Sequence, residues 1–301
     1  PWTFAEHLRL FSSRRRHTRS GRVTGVQTCA LPISSHLLVP YIDSYWEFKG
    51  NPDYGMRIHI LPDGCTDFIF TLGEVANAVE EGSLIMQPYR SYFVGPMTKY
   101  SELVTYTESI HMFGVRFLPC GLSCFTNLPL HEFVNSRVST NEMKAVFDDT
   151  FIEKLGEQKH VTDRIRVVEE YLLAYLARHY QPADSHVAMA VNMINHSKGK
   201  RSVRSLMDDV CLCQRHFERK FKHYTGFTPK EYSRIVKFKN AVELLRTTTS
   251  ANLLTTAVDA GYYDLAHFSK EIKSMSGNTP ASFLSLTVPE ETTLTYIEPQ
   301  R

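Results

Sequence analysis

"AVDAGYYDLAHFSKEIKSMSGNTPASF", residues 257–283, carries the spacing of two closely crossed helices. Two helices that cross at close range need a small residue at the crossing, a residue that tolerates a sharp turn, and apolar anchors that fix the second helix. Ala257, Gly261, Phe268 and Ile272 supply that set in order. The spacing predicts a helix, a tight turn and a second helix, which Gly277 stops before Pro280 opens the next one. Asp264, Leu265, Ala266, His267 and Lys270 then fall on the solvent side of the second helix.

A similar stretch precedes it. "VRSLMDDVCLCQRHFERKFKHYTGFTPKEY", residues 203–232, aligns with the first once a single residue is inserted in the later copy: Phe217 falls on Phe268, Arg219 on Lys270, and "TGFTP" on "SGNTP". The region is an internal repeat of a helix-turn-helix unit. In the earlier copy Leu206, Phe217 and Phe221 are the anchors, while Gln214, Arg215, Glu218, Arg219 and Lys222 project outward. An arginine fork can bond guanine O6 and N7 together, and Glu218 could accept from a cytosine amine or orient Arg219.

Charge divides the chain at the same place. The 301 residues carry a formal net charge of +2, but Ser35–His196 holds 12 basic and 20 acidic residues, whereas Ser197–Leu284 holds 15 and 8. Phosphate neutralisation releases counterions, so the basic part is the expected nucleic-acid surface, and the acidic part is not.

On these motifs, residues 186–284 resemble the DNA-binding domain of the AraC/XylS family of bacterial transcriptional regulators. The run from Ala257 to Phe283 is similar almost throughout to that family's pattern of Ala, Gly-Phe/Tyr, Asp, Phe and Gly-x-[Ser/Thr]-Pro. The resemblance implies two helix-turn-helix units joined by a long helix and entering successive major grooves of double-stranded DNA. Residues 229–247 would be that connector, with Ile235, Phe238, Ala241, Leu244 and Leu245 facing inward. It implies base-edge contacts at Arg215, Glu218, Arg219, Leu265, Ala266 and Lys270, the small apolar pair reading thymine methyls. Three positions depart from the pattern: Met207, Cys211 and Ile272. At Cys211 a positive φ is expected, at a cost of about 1 kcal/mol relative to glycine. Cys211 and Cys213 lack a second pair, so core thiols are expected there, not metal ligands.

Upstream, from Leu37 to Phe117, short runs rich in Val, Ile, Tyr and Phe alternate with turn signals. They include "YIDSYWEF", "MRIHIL", "TDFIFTLG", "GSLIMQ", "RSYFVG" and "IHMFGVRF", with turns at "GNPDYG", "PDG" and "GP". Helical spacing follows in 142–155 and 161–180, and Asp184 or Ser185 is the candidate cap of the next helix. The stretches "HILPDGCTDFIFTLG", "FVGPMT" and "FGVRFLPCGL" resemble the sensor domain that precedes this DNA reader in a group of AraC-like regulators. The resemblance implies a small, cupin-like β-barrel that binds an unidentified small effector. Trp46, His59, Asp63, Asp67, His111 and Arg116 are the candidates to line its cavity. Arg116 could anchor a carboxylate, or pair with Glu102 or Glu108. No His-x-His cluster argues for a metal, and no cofactor is expected. Two other readings stay open: a metal-dependent enzyme domain fused to a DNA reader, and a barrel that only dimerises.

The arginine-rich run at 12–34 looks like a phosphate-binding arm, but Val23–Ile33 matches the in-frame translation of a common sequencing-adapter oligonucleotide. Residues 1–34 are therefore set aside as artefact and expected to be disordered. The expected class is α+β in two domains: a β-rich sensor at 35–138, a helical linking or dimerising region at 139–183, the all-α DNA reader at 184–284 and a tail at 285–301. With no apolar run long enough for a bilayer, the chain reads as soluble and cytoplasmic, with reduced thiols. Expected partners are DNA, RNA polymerase and a second copy of the chain.

Overall fold

In a computed structural model, the described residues are 25–31, 33–51, 56–73, 78–80, 86–105, 109–143, 146–147, 149–179, 181–210, 212–247, 253–285 and 295–297. Among the described residues ten antiparallel strands fall into two sheets. The six-stranded sheet runs β1 (Gly25–Leu31), β2 (Ile42–Asn51), β8 (Ile110–Phe117), β4 (Thr66–Thr71), β6 (Ser91–Val94), β9 (Arg137–Ser139). The four-stranded sheet runs β10 (Thr295–Ile297), β3 (Met56–Ile60), β7 (Ser101–Thr105), β5 (Ala78–Glu80).

Period-2 alternation sends Phe68, Phe70, Phe93, Phe113, Val115 and Phe117 to one face of the larger sheet. Ile69, Tyr92, Val94, Ile110 and Met112 go to the other. The first face is covered by α1 (Asp149–Gly156) and α2 (Val161–His179), through Phe151, Leu155, Ile165, Val168 and Leu172. Edge-on and tilted ring contacts knit it together, such as Phe68–Phe147 at 5.0 Å and Phe151–Tyr171 at 4.6 Å.

This corrects the predicted barrel, which is not closed among the described residues. Aromatic side chains from α1, α2 and the segment before them bury the sheet face that closure would have enclosed, so the strands have no need to curl. The helices expected to link or dimerise thus pack into the amino-terminal core. The helical reading of 142–155 is trimmed to α1, with a 3-10 turn at Thr140–Glu142. β5, β7 and β9 were not read from sequence.

Gly25–Leu31, inside the stretch set aside as artefact, lies along β2 with Gly25 opposite Asn51 and Leu31 opposite Tyr45. The backbone of an exposed sheet edge accepts any extended segment, whatever its side chains. Residues 1–24, Cys211, most of "GNPDYG" and "GSLIMQ", and most of the tail lie outside the described residues.

The remainder is helical: α3 (Ser185–His196), α4 (Val203–Val210), α5 (Gln214–Thr225), α6 (Pro229–Thr247), α7 (Leu253–Asp259), α8 (Leu265–Ser276) and α9 (Pro280–Ser285). Asp184 caps α3 by accepting from the backbone N–H groups of His186 and Val187. One core joins these helices, with Phe217, Phe221, Phe238, Ala257, Phe268 and Ile272 fully buried. No described helix is long and apolar enough to cross a membrane.

Candidate nucleic-acid interface

The two repeat units fold alike where their sequences agree. α5 and α8 are both 12 residues long, and both end on a glycine in the left-handed region whose N–H donates to the carbonyl four residues back. Gly226 at φ 85° bonds Lys222, and Gly277 at φ 76° bonds Lys273. Pro229 and Pro280 then open α6 and α9. At the start of α8, Asp264 accepts from the His267 N–H at 2.6 Å. The expected connector is α6, which buries Ile235, Phe238, Ala241 and Leu245 and half-buries Leu244.

Burial sorts α5 into two faces. Phe217 and Phe221 are fully buried, whereas Gln214, Arg215, Arg219 and Lys222 are exposed and Glu218 is partly so. Gln214 donates to Glu218 at 2.9 Å, and Arg219 contacts His216 at 3.2 Å. Arg215 and Lys222 make no ion pair among the described residues. On α8, Leu265, Ala266, His267 and Lys270 are exposed over buried Phe268 and Ile272. His267 leans on Tyr262, with ring centroids 5.4 Å apart, and lies 3.7 Å from Glu271. Buried Glu271 also pairs with Arg234 of α6 at 3.3 Å. Cys213, expected in the core, is exposed as the residue that caps α5, because the cap position lies off the buried face.

The amino-terminal domain grips both units. The loop at 95–98 reaches the cap of α5, where a side chain on Gly226 would lie 2.5 Å from the Pro96 ring and 3.3 Å from the Leu130 carbonyl. At the cap of α8, the Tyr100 N–H donates to the Met275 carbonyl at 2.8 Å and its ring sits over Gly277. Between them the 62–64 turn rests on α6, with Gly64 against the ring of Tyr232. Leu61 and Cys120 belong to the core of the helical domain. Sequence reasoning read "PDG" and "GP" as turns and missed these contacts, because a turn signal does not report what the turn touches.

Of the six residues expected to line a sensor cavity, Trp46, Asp63, Asp67 and Arg116 meet in one cluster, while His59 and His111 pair elsewhere. Arg116 is taken up by two carboxylates: Asp67 at 3.2 Å and Asp63 at 3.0 Å. Trp46 donates its indole N–H to Asp67 at 2.8 Å. Burial pushes the Asp67 carboxyl up, with Arg116 and Trp46 working against it. For Arg116 burial opposes the charge, but the two aspartates outweigh it and hold the guanidinium well above its ordinary range. Lys239 of α6 faces the same cluster: burial works to lower its ammonium, and Cys65, Asp63 and Asp43 more than offset that. His111 instead meets Glu47 at 2.9 Å, where Arg164 of α2 also binds at 2.9 Å. His59 pairs with Glu102 at 3.2 Å. Among the described residues the Arg116 fork is thus paired with Asp63 and Asp67. Among the described residues no group of three or more His, Cys, Asp and Glu side chains is arranged for a metal.

Residues 206–285 match a family profile described as a helix-turn-helix domain, and residues 33–139 match one described as a domain of unknown function. No curated protein sequence matches the chain. Among solved structures it is similar to ToxT from Vibrio cholerae, at 10% identity and a TM-score of 0.43 over 87% of this chain and 98% of that one. It is similar to unsaturated fatty acid bound ToxT, at 11% and 0.39 over 89% and 97%. A probable AraC family transcriptional regulator from Rhodopseudomonas palustris matches at 20% and 0.31 over 34% of this chain and 95% of that one. The carboxyl-terminal part of this chain thus carries a match to a helix-turn-helix domain, set behind a part that matches a domain of unknown function.

Proposed function

We propose that the chain is a sequence-specific DNA-binding transcriptional regulator in which α5 and α8 are the recognition helices of two helix-turn-helix units joined by α6. The observation that carries this is the division of α5: two phenylalanines fully buried, and Arg215, Arg219 and Lys222 turned to solvent on the opposite face. Such a helix has its cations in place for a phosphate-lined groove. Replacing Arg219 by alanine should weaken binding to a selected duplex by about 1–3 kcal/mol and relax preference at one base. Equal losses on selected and scrambled duplexes would make Arg219 a phosphate contact and refute its role as a base reader.

For the amino-terminal domain two readings divide. In one it senses an unidentified small effector, as the family likeness implies, and passes the signal through the contacts at Pro96, Tyr100 and Gly64. In the other it acts without a ligand, as a packing or dimerising module. The aromatic-filled space between the larger sheet and α1 and α2 favours the second. RNA polymerase and a second copy of the chain remain proposed partners.

A further inference from the structure

The two repeat units differ in chemistry at the start of their second helices. In the alignment that puts Phe217 on Phe268, Leu212 falls on Tyr263, Gln214 on Leu265 and Arg215 on Ala266. Leu212 is partly buried and packs against the helical core. Tyr263 is 93% exposed. Its neighbour Tyr262 takes over the packing, only 4% exposed and 5.2 Å from Phe268. Tyr263 is thus not needed for the fold, and it stands beside Leu265, itself 38% exposed, and exposed Ala266. Where α5 begins with an amide and a guanidinium, α8 begins with an aromatic ring, an isobutyl group and a methyl.

Apolar groups at a recognition-helix start have one specific target in the major groove, the C5 methyl of thymine. We propose that Tyr263 joins Leu265 and Ala266 in reading thymine methyls, so that the operator is asymmetric: a guanine-containing half for α5 and a thymine-rich half for α8. This rests on the reading of both helices as DNA readers. Lys273, exposed further along α8, supplies the phosphate attraction that the apolar start lacks.

Replacing thymine by deoxyuridine removes the methyl alone and keeps base pairing, the O4 acceptor and every phosphate. The full chain would be used to select duplexes from a random pool, and the half read by α5 identified as the one where R219A relaxes preference. Fluorescence anisotropy would then compare thymine and uracil versions of each half at one salt concentration. In the α8 half, each methyl touched should be worth about fourfold in affinity, the factor equivalent to about 0.8 kcal/mol for one buried methyl-sized group. In the α5 half the exchange should change little. Y263A should bind the selected duplex at least fourfold more weakly, lose the uracil penalty at one position, and leave affinity for a scrambled duplex and thermal stability unchanged. Equal affinity for thymine and uracil duplexes in both halves, or equal loss by Y263A on selected and scrambled DNA, would overturn the proposal while R219A still supports the DNA-reading role. If no duplex is enriched, both fall.

Discussion

Substituting Gly226 by alanine tests the grip of the amino-terminal domain on the first repeat unit, and Gly261 supplies the control. Both glycines sit at φ 85°, so a methyl group costs each about 1–2 kcal/mol of backbone strain. Their surroundings differ. At Gly261 the three atoms nearest the added carbon all belong to the Lys200 side chain, at 3.1–3.4 Å, and that chain can swing aside. At Gly226 it meets the Pro96 ring at 2.5 and 3.0 Å and the Leu130 carbonyl at 3.3 Å, neither of which can rotate away. Overpacking of that kind costs about 1–3 kcal/mol, so G226A should lose about 2–5 kcal/mol and G261A about 1–2. Urea unfolding followed by far-ultraviolet circular dichroism measures both. Making G226A in a P96A background removes the ring carbon at 2.5 Å and should recover most of the excess. If the two alanine variants lose the same stability, or P96A recovers nothing, the loop does not bear on the cap of α5.

Two further outcomes follow from the side chains described above. The hydrogen bond from His111 holds the Glu47 carboxyl below its ordinary range against burial, with Arg164 adding to the effect. A depressed carboxyl stabilises the fold above its unfolded pKa of about 4.3, and that contribution is lost as pH falls through the folded value. E47Q should cost about 1–3 kcal/mol at pH 7, with the two unfolding curves converging below about pH 4. Cys213 is exposed one residue before the cationic face of α5. With Cys29 and Cys211 replaced by serine, a selected duplex should protect Cys213 from maleimide labelling, while unprotected labelling in the complex would count against α5 lying in the groove.

The helical domain was legible because each of its elements is closed by local chemistry. Gly226, Gly277, Pro229, Pro280 and Asp184 punctuate it, and the apolar spacing between them is too regular for another period. β2, β4 and β8 were legible for the same reason. The larger arrangement of the strands was not, since alternation states which residues share a face and not what covers it: the same Phe68, Phe70 and Phe113 would suit a barrel interior or a sheet packed under α1 and α2. The partners of Arg116 were not legible for a related reason. An arginine in a β-rich domain looks like a ligand anchor until its neighbours are known, and Asp63 and Asp67 are brought to it only by the fold. Tyr263 was passed over because sequence gave no means of telling which of the adjacent Tyr262 and Tyr263 packs inside.

The segment from Pro96 to Tyr100 touches the end of α5 at one extremity and the end of α8 at the other. Four peptide steps cannot span more than about 14 Å, so the segment works as a yoke of limited length. A shift of the segment moves both helix ends together, and an inserted residue would free one from the other. Loop length, usually the most permissive trait of a protein surface, is here tied to the spacing of two helix ends.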